Sequence, residues 1–272
     1  MCGTFETMEI IDILGYLGAL IIGVILGLIG GGGSILTVPV LVYLLSINPV
    51  TATAYSLFVV GATSLFGSIK NLQKKRVDLK TAVVFSIPAF IAVYLTRKFL
   101  VPAIPETIIT IGDFTVTKNI GIMLFFAFIM VLASVSMILE PSEKDAKPKK
   151  VKYNYLFIVL EGGIVGVLTG IVGAGGGFLI IPALVLMTKL PMKRAVATSL
   201  VIIAVKSLIG FIGDVQNLEI DWLFLLIFTT ISIIGIFVGI WLNRFIDGKK
   251  LKKGFGWFVL LMGIYIFWKE IF

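Results

Sequence analysis

GLIGGGGSILTVP, residues 27–39, interrupts an apolar run that extends from Ile13 to Ile47. An altered but aligned copy, GIVGAGGGFLIIP, occupies residues 170–182 of a second apolar run. The first run is too long for one helical span, which needs about 20 residues. Glycines in series disfavour a continuous helix, so each run reads as two arms joined at a break. The first arm, about residues 10–29, is long enough to cross a bilayer. The second, Ser34 to Leu45, reaches only about 18 Å at helical rise, well short of a hydrocarbon core of about 30 Å. It is expected to be a tilted or re-entrant half-helix.

Composition places these breaks in a membrane. Of 272 residues, 58% are hydrophobic and 14% charged, with a mean hydropathy of +1.10, whereas soluble chains carry about 25% charged residues. The chain reads as a polytopic membrane protein with no soluble domain large enough to fold alone. The net charge of +8 is then no nucleic-acid signal, and no nucleic-acid partner is expected. Its use is to show which loops face the cytoplasm. There is no histidine, the commonest metal ligand and general base. The single cysteine, Cys2, offers neither a disulfide nor a metal site. No basic segment or small-residue cleavage pattern marks a removable signal peptide. No HExxH, paired-carboxylate or nucleophile–base constellation appears, so neither enzyme chemistry nor a cofactor or metal is expected.

Read in order, the chain starts acidic, with Glu6, Glu9 and Asp12. After the first hairpin, Asn48-Pro49 makes a turn and Ala52 to Asn71 is a span, followed by the basic loop Lys70 to Lys80. Asp78 reads as the N-cap of the next span, in which Pro88 predicts a kink. IITIGDFTVT, around Gly112-Asp113, alternates and predicts a small β-hairpin outside the bilayer. Residues 119–139 form the last span of the first half. Residues 140–154, EPSEKDAKPKKVKYN, are the one clear linker.

The second half repeats the first at an offset of 143. Gly27, Gly30, Gly33 and Pro39 map to Gly170, Gly173, Gly176 and Pro182. Ser56-Leu57 maps to Ser199-Leu200, Gly67 to Gly210 and Asp78 to Asp221. One compensating gap between Pro49 and Pro191 restores the register. Equivalent loops carry opposite charge. Loop 70–80 holds Lys70, Lys74, Lys75, Arg76 and Lys80, while 213–223 holds Asp214, Glu219 and Asp221. Turn 46–50 has no basic residue, while 188–194 has Lys189, Lys193 and Arg194. Residues 97–118 are near balance, while 244–253 has Arg244, Lys249, Lys250, Lys252 and Lys253 against Asp247. By the positive-inside rule the halves insert upside down relative to each other. The expected fold is therefore an all-α integral membrane protein of two inverted-topology repeats. Each is a glycine-broken helix hairpin plus three transmembrane helices. The first repeat covers residues 1–139, a cytoplasmic linker 140–154, and the second repeat 155–272. N- and C-termini are expected outside.

A half-helix starting at Ser34, or at Phe178 in the second copy, leaves its first N–H groups without intrahelical partners. Its positive dipole end favours an anion, and inverted repeats place two such ends near the midplane. Gly31, Gly32, Gly33 and Ser34 with Gly175, Gly176, Gly177 and Phe178 are the expected backbone cradle. The competing reading is close helix packing through small residues. The absence of a GK[ST] ending excludes a nucleotide loop. Ser56, Thr63 and Gly67 share one helix face, and Ser199, Lys206 and Gly210 hold the same positions in the second half. Ser56, Thr198 and Ser199 are candidate hydroxyl ligands, with interhelical bonding as the alternative. An ionisable residue at Lys206's depth is costly, by about 3 kcal/mol on insertion scales. Lys206 is expected to attract the anion or to change protonation during transport, with Glu161 as its counter-charge. Snorkelling outward is the alternative. Lys193 and Arg194 are read as topology signals.

These same stretches, with GIVGAGGGFLIIPALV followed by PMKRAVATSLVIIAVKSLIGF, resemble the sulfite exporter TauE/SafE family, also called the TSUP transporters. The resemblance covers about residues 12–98 and 155–245. It implies a plasma-membrane carrier of small sulfur-containing anions such as sulfite or sulfonates, often exported, built as a duplicated bundle of seven to nine spans. Protons as coupling ion and homo-oligomers are compatible with it. Lys206 departs from the polar, uncharged residue usual there, and TATAYSL in the first copy departs from AVATSL in the second at Tyr55. An anion channel, a carrier of another small organic anion and a non-transporting scaffold are the other readings. Accessibility reporters at residues 75 and 217 are expected on opposite sides of the membrane. Labelling both from one side contradicts the inversion.

Overall fold

The computed structural model describes residues 2–111, 114–139, 155–188, 190, 192–243, 245 and 248–272. The linker 140–154, the Gly112-Asp113 turn, and Lys189, Arg244 and Asp247 of the charge pattern lie outside them.

Helix α1 (Cys2–Ile29) stops at Gly30, whose φ of 80° lies where a side chain is strained. A short arm, α2, follows through residues 31–44. It is 3-10 over Gly31–Leu36, α over Thr37–Pro39 and π over Val40–Leu44. Asn48 caps α3 (Pro49–Gln73) by accepting from the Val50 N–H at 3.0 Å, with Pro49 in the first turn, where its missing N–H is harmless. Helix α4 runs over Leu79–Ala103. It passes through Pro88 and becomes π-helical at Thr96–Leu100. Strands β1 (Thr107–Ile111) and β2 (Phe114–Thr117) pair antiparallel, with Ile111 opposite Phe114. This is the hairpin expected from the alternation, and it leads directly into α5 (Lys118–Leu139). The second half contains α6 (Tyr155–Val172), a break, α7 (Gly177–Thr188), α8 (Met192–Asp214), α9 (Trp222–Leu242) and α10 (Gly248–Ile271).

Among the described residues, six helices are long and apolar enough to cross a membrane, namely α3, α4, α5, α8, α9 and α10. Phe128, Leu132, Leu160, Ile164, Leu226, Ile234, Trp257 and Leu261 are exposed on the outside of the bundle. In water such a surface would be unstable, whereas lipid solvates it. The chain is an all-α multi-pass membrane protein with one small hairpin.

The buried centre is the pair α3 and α8, packed on each other. Helix α1 lies on α9, and α6 lies on α4. Helix α9 also touches α3 while α4 touches α8, and α5 packs on α10. Small residues let the α1–α9 backbones approach. A Cβ added to Gly23 or Gly27 would collide with the backbone of Ser232 or Ile236, and one on Gly235 or Gly239 with that of Leu20 or Val24. Gly162 and Gly166 of α6 meet Phe85 and Ala89 of α4 in the same way. Such close approach is a main source of helix association where lipid removes the hydrophobic drive.

Two hydrogen bonds tie the halves at their helix–loop junctions. Asp78 and Asp221 cap α4 and α9, accepting from Thr81 N–H at 2.9 Å and Phe224 N–H at 3.0 Å. The backbone N–H of Asp221 donates to the Tyr55 hydroxyl at 2.7 Å, and that of Asp78 donates to the Thr198 hydroxyl at 3.0 Å. Residues 55 and 198 are 143 apart, as are 78 and 221. Each half therefore supplies the hydroxyl that completes the other half's cap. Tyr55→Phe and Thr198→Val are each expected to lower stability by about 1 kcal/mol, the net worth of one such bond. Unfolding titrations in mixed micelles check this. An unchanged midpoint for both would show that the ties contribute nothing.

Candidate functional site

The two breaks meet. Gly31 and Gly177 lie so close that a Cβ added to either would overlap the other's backbone. The second break turns on Gly173, Gly175 and Gly176, with φ of 73°, 62° and 70°. A Cβ on Gly175 would lie 3.3 Å from that of Ser34, so the start of α2 faces the second break. Arms 33–44 and 177–188 each have 12 residues, about 18 Å at helical rise.

The central pair α3 and α8 seats the breaks. Gly30 abuts Val196 of α8, and Gly173 abuts Thr53 of α3, again residues 143 apart. Gly31 is also close to Ile203, and Gly175 to Val60. Around the second break several N–H groups are used locally. Gly176 N–H donates to the Ala174 carbonyl at 2.6 Å, and those of Leu179 and Ile180 to the Gly176 carbonyl at 3.0 and 2.9 Å. The expected ligands Gly175, Gly177 and Phe178 have no such backbone bond among the described residues. In the first break the Ser34 hydroxyl donates to the Gly31 carbonyl at 2.7 Å, closing the 3-10 turn that also contains Gly32 and Gly33.

Lys206 is fully buried, so it does not snorkel. Its Nζ donates to the Thr169 hydroxyl at 2.5 Å and lies 3.0 Å from where a Cβ on Gly176 would be. The Thr169 hydroxyl in turn donates to the Val165 carbonyl at 2.7 Å. An ammonium has three donors, and Thr169 accounts for one. In its protonated form Lys206 therefore has two donors left for a ligand, and burial makes that form costly unless an anion meets them. Glu161, the expected counter-charge, forms no ion pair among the described residues. It is only partly buried, beside the exposed Leu160 and Ile164. Glu161 lies on the outer side of its turn while Gly162 packs on α4, and Lys206 instead meets the uncharged Thr169 hydroxyl two turns on.

The remaining hydroxyls divide. Ser56 is buried without a partner, on the α3 face between Thr53 and Val60 that touches the second break. Ser199 donates to its own helix at the Val196 carbonyl, 2.9 Å. Thr198 sits at the junction with Asp78 rather than at the break. Thr63, the counterpart of Lys206, is buried without a partner. Sequence reasoning passed over Thr169, whose only signal is its place four residues before the Gly173 turn.

Residues 15–266 match the family described as Sulfite exporter TauE/SafE. The chain belongs to that family. A probable membrane transporter protein of Xylella fastidiosa (strain 9a5c) is 29% identical over 257 residues, 92% of each chain. The probable membrane transporter protein YunE of Bacillus subtilis (strain 168) is 28% identical over 265 residues, covering 93% of this chain and 96% of its own. No solved structure matches. As a TauE/SafE protein the chain is a membrane transporter, and the meeting of the breaks beside Lys206 is its candidate site.

Gly31→Ala and Gly177→Ala are expected to destabilise the folded protein by about 3 kcal/mol, because backbone faces backbone and neither can yield. Gly163→Ala, where a Cβ meets nothing within 4 Å in mid-helix, is expected to leave stability unchanged or raise it by up to about 1 kcal/mol. Folded yield and unfolding midpoints in detergent compare the three. Equal behaviour would contradict the contact.

Proposed function

We propose that the protein is a secondary transporter that exports small sulfur-containing anions, such as sulfite or sulfonates, across the plasma membrane. The anion binds where the glycine breaks meet, held by N–H groups at residues 31–34 and at Gly175, Gly177 and Phe178, with Lys206 and Ser56; the Gly176 N–H, already taken by the Ala174 carbonyl, is not among them. The observation that carries this reading is Lys206, a fully buried amine beside Gly176 whose one hydrogen-bond partner among the described residues is Thr169. The family description supplies the substrate class.

Two inverted repeats, 1–139 and 155–272, joined by the cytoplasmic segment 140–154, form the frame of this mechanism. The packing supports it, because exchanging the halves exchanges α1 on α9 with α6 on α4, and α3 on α9 with α8 on α4. It maps the pairs α3–α8, α5–α10 and α2–α7 onto themselves. The Tyr55–Asp221 and Thr198–Asp78 ties are then one latch near each surface. Rocking one repeat on the other releases one latch at a time and gives alternating access. Backbone contact between the breaks supports such a carrier over an always-open channel. A negative interior favours exit of a monoanion by about 2.3 kcal/mol per 100 mV, so export needs no coupling ion.

Lys206→Met is expected to reduce saturable sulfite flux in proteoliposomes at least tenfold while leaving folding intact, since Met fills similar space without a charge. Flux at the wild-type rate and affinity would remove Lys206 from the mechanism. Absence of sulfite flux in the folded wild type would reject sulfite as substrate.

A further inference from the structure

A buried arginine lies off the repeat symmetry. Arg97, on the π turn of α4, is fully buried, and its Nε lies 3.5 Å from Asp214 Oδ2 at the end of α8. Close approach of the two helices makes this possible, since a Cβ on Gly213 would sit 3.1 Å from the Arg97 Cβ and 3.2 Å from the Tyr94 carbonyl. The pair is poorly satisfied. Nε, Nη1 and Nη2 of Arg97 and Oδ2 of Asp214 have no hydrogen-bond partner. A structural Arg–carboxylate pair is normally a two-pronged contact at about 2.8 Å. Here the carboxylate touches one edge and leaves both terminal amino groups open. Burying guanidinium donors without acceptors is costly, so these donors point to a ligand that the protein itself does not supply.

The repeat offers no structural reason for the pair. The counterparts of Arg97 and Asp214 are Ile240 and Asn71, and Asn71 simply donates to the Gly67 carbonyl of its own helix at 3.2 Å. The pair's position is functional in kind. Lys206, Gly210 and Gly213 follow one face of α8, and Asp214 is eight residues beyond Lys206, about 12 Å along the helix. That end of α8 opens onto the acidic loop with Glu219 and Asp221.

We propose that Arg97 is a second anion-binding site, one step from Lys206 toward the acidic surface. It takes a small oxyanion through Nη1 and Nη2, whose fork matches two oxygens of a sulfur oxyanion or carboxylate. Asp214 positions the guanidinium from its Nε edge and, by its own negative charge, keeps the anion from staying. This rests on the anion-transport reading above.

Radiolabelled sulfite binding to the full chain in nanodiscs tests it by stoichiometry. Wild type is expected to bind two sulfites per chain. The double variant Arg97→Met/Asp214→Leu, an apolar replacement that buried pairs tolerate, is expected to bind one, and Lys206→Met one. Arg97→Lys keeps the charge but loses the fork, and should weaken one site at least tenfold while leaving the other unchanged. Two sulfites on the double variant, or unchanged affinities in Arg97→Lys, overturn the second site and leave the Lys206 reading intact. One sulfite on wild type that survives Lys206→Met and vanishes in the double variant supports Arg97 and overturns the cradle. No binding to folded wild type overturns both.

Discussion

Gly31 and Gly177 touch backbone to backbone, and most of the central architecture depends on that contact. Only residues without a Cβ allow two chain reversals to share one place. Because the arms stop there, each is about half the length of a span, and each presents helix-start N–H groups inside the bundle. In lipid those groups must find a partner. The protein thus carries a polar demand at its centre that its own carbonyls meet in part, at Gly176, Leu179 and Ile180. Lys206 sharpens the demand by placing a buried amine beside the same turn.

Around that contact the molecule is close to symmetric in packing and asymmetric in charge. Val196 and Thr53 seat equivalent glycines, and Tyr55 and Thr198 complete equivalent caps across the halves. Lys206 stands where the first half has Thr63, and Thr169 where it has Leu26. The Arg97–Asp214 pair also has no counterpart. Chemistry that distinguishes one direction of passage from the other has to reside in such differences, because a perfectly two-fold object treats both sides alike.

Much of this was legible in the chain. The duplicated glycine runs, the Asp78 and Asp221 caps and the hairpin at 107–117 are local patterns, and local patterns are what spacing reports. The membrane class followed from composition. What escaped depends on partners far apart in sequence. Asp214 reads as one more loop acid until α4 brings Arg97 to it across 117 residues. Thr198 and Ser199 are adjacent in the same motif, yet one completes a cap in the other half and the other bonds its own helix. Glu161 and Lys206 are both charges at depth, but periodicity alone could not show that Glu161 lies on the outer side of its turn. The π turns at 40–44 and 96–100 carry no composition signal at all.

The central claim is that an anion occupies the place where the breaks meet. Selenite has the shape and charge of sulfite and scatters X-rays anomalously, so crystals grown with it would locate the anion without relying on ordinary density. The account predicts an anomalous peak between residues 31–34 and 175–178, within hydrogen-bond reach of Lys206 Nζ. A fully occupied selenite elsewhere in the bundle, with none at the breaks, would contradict it.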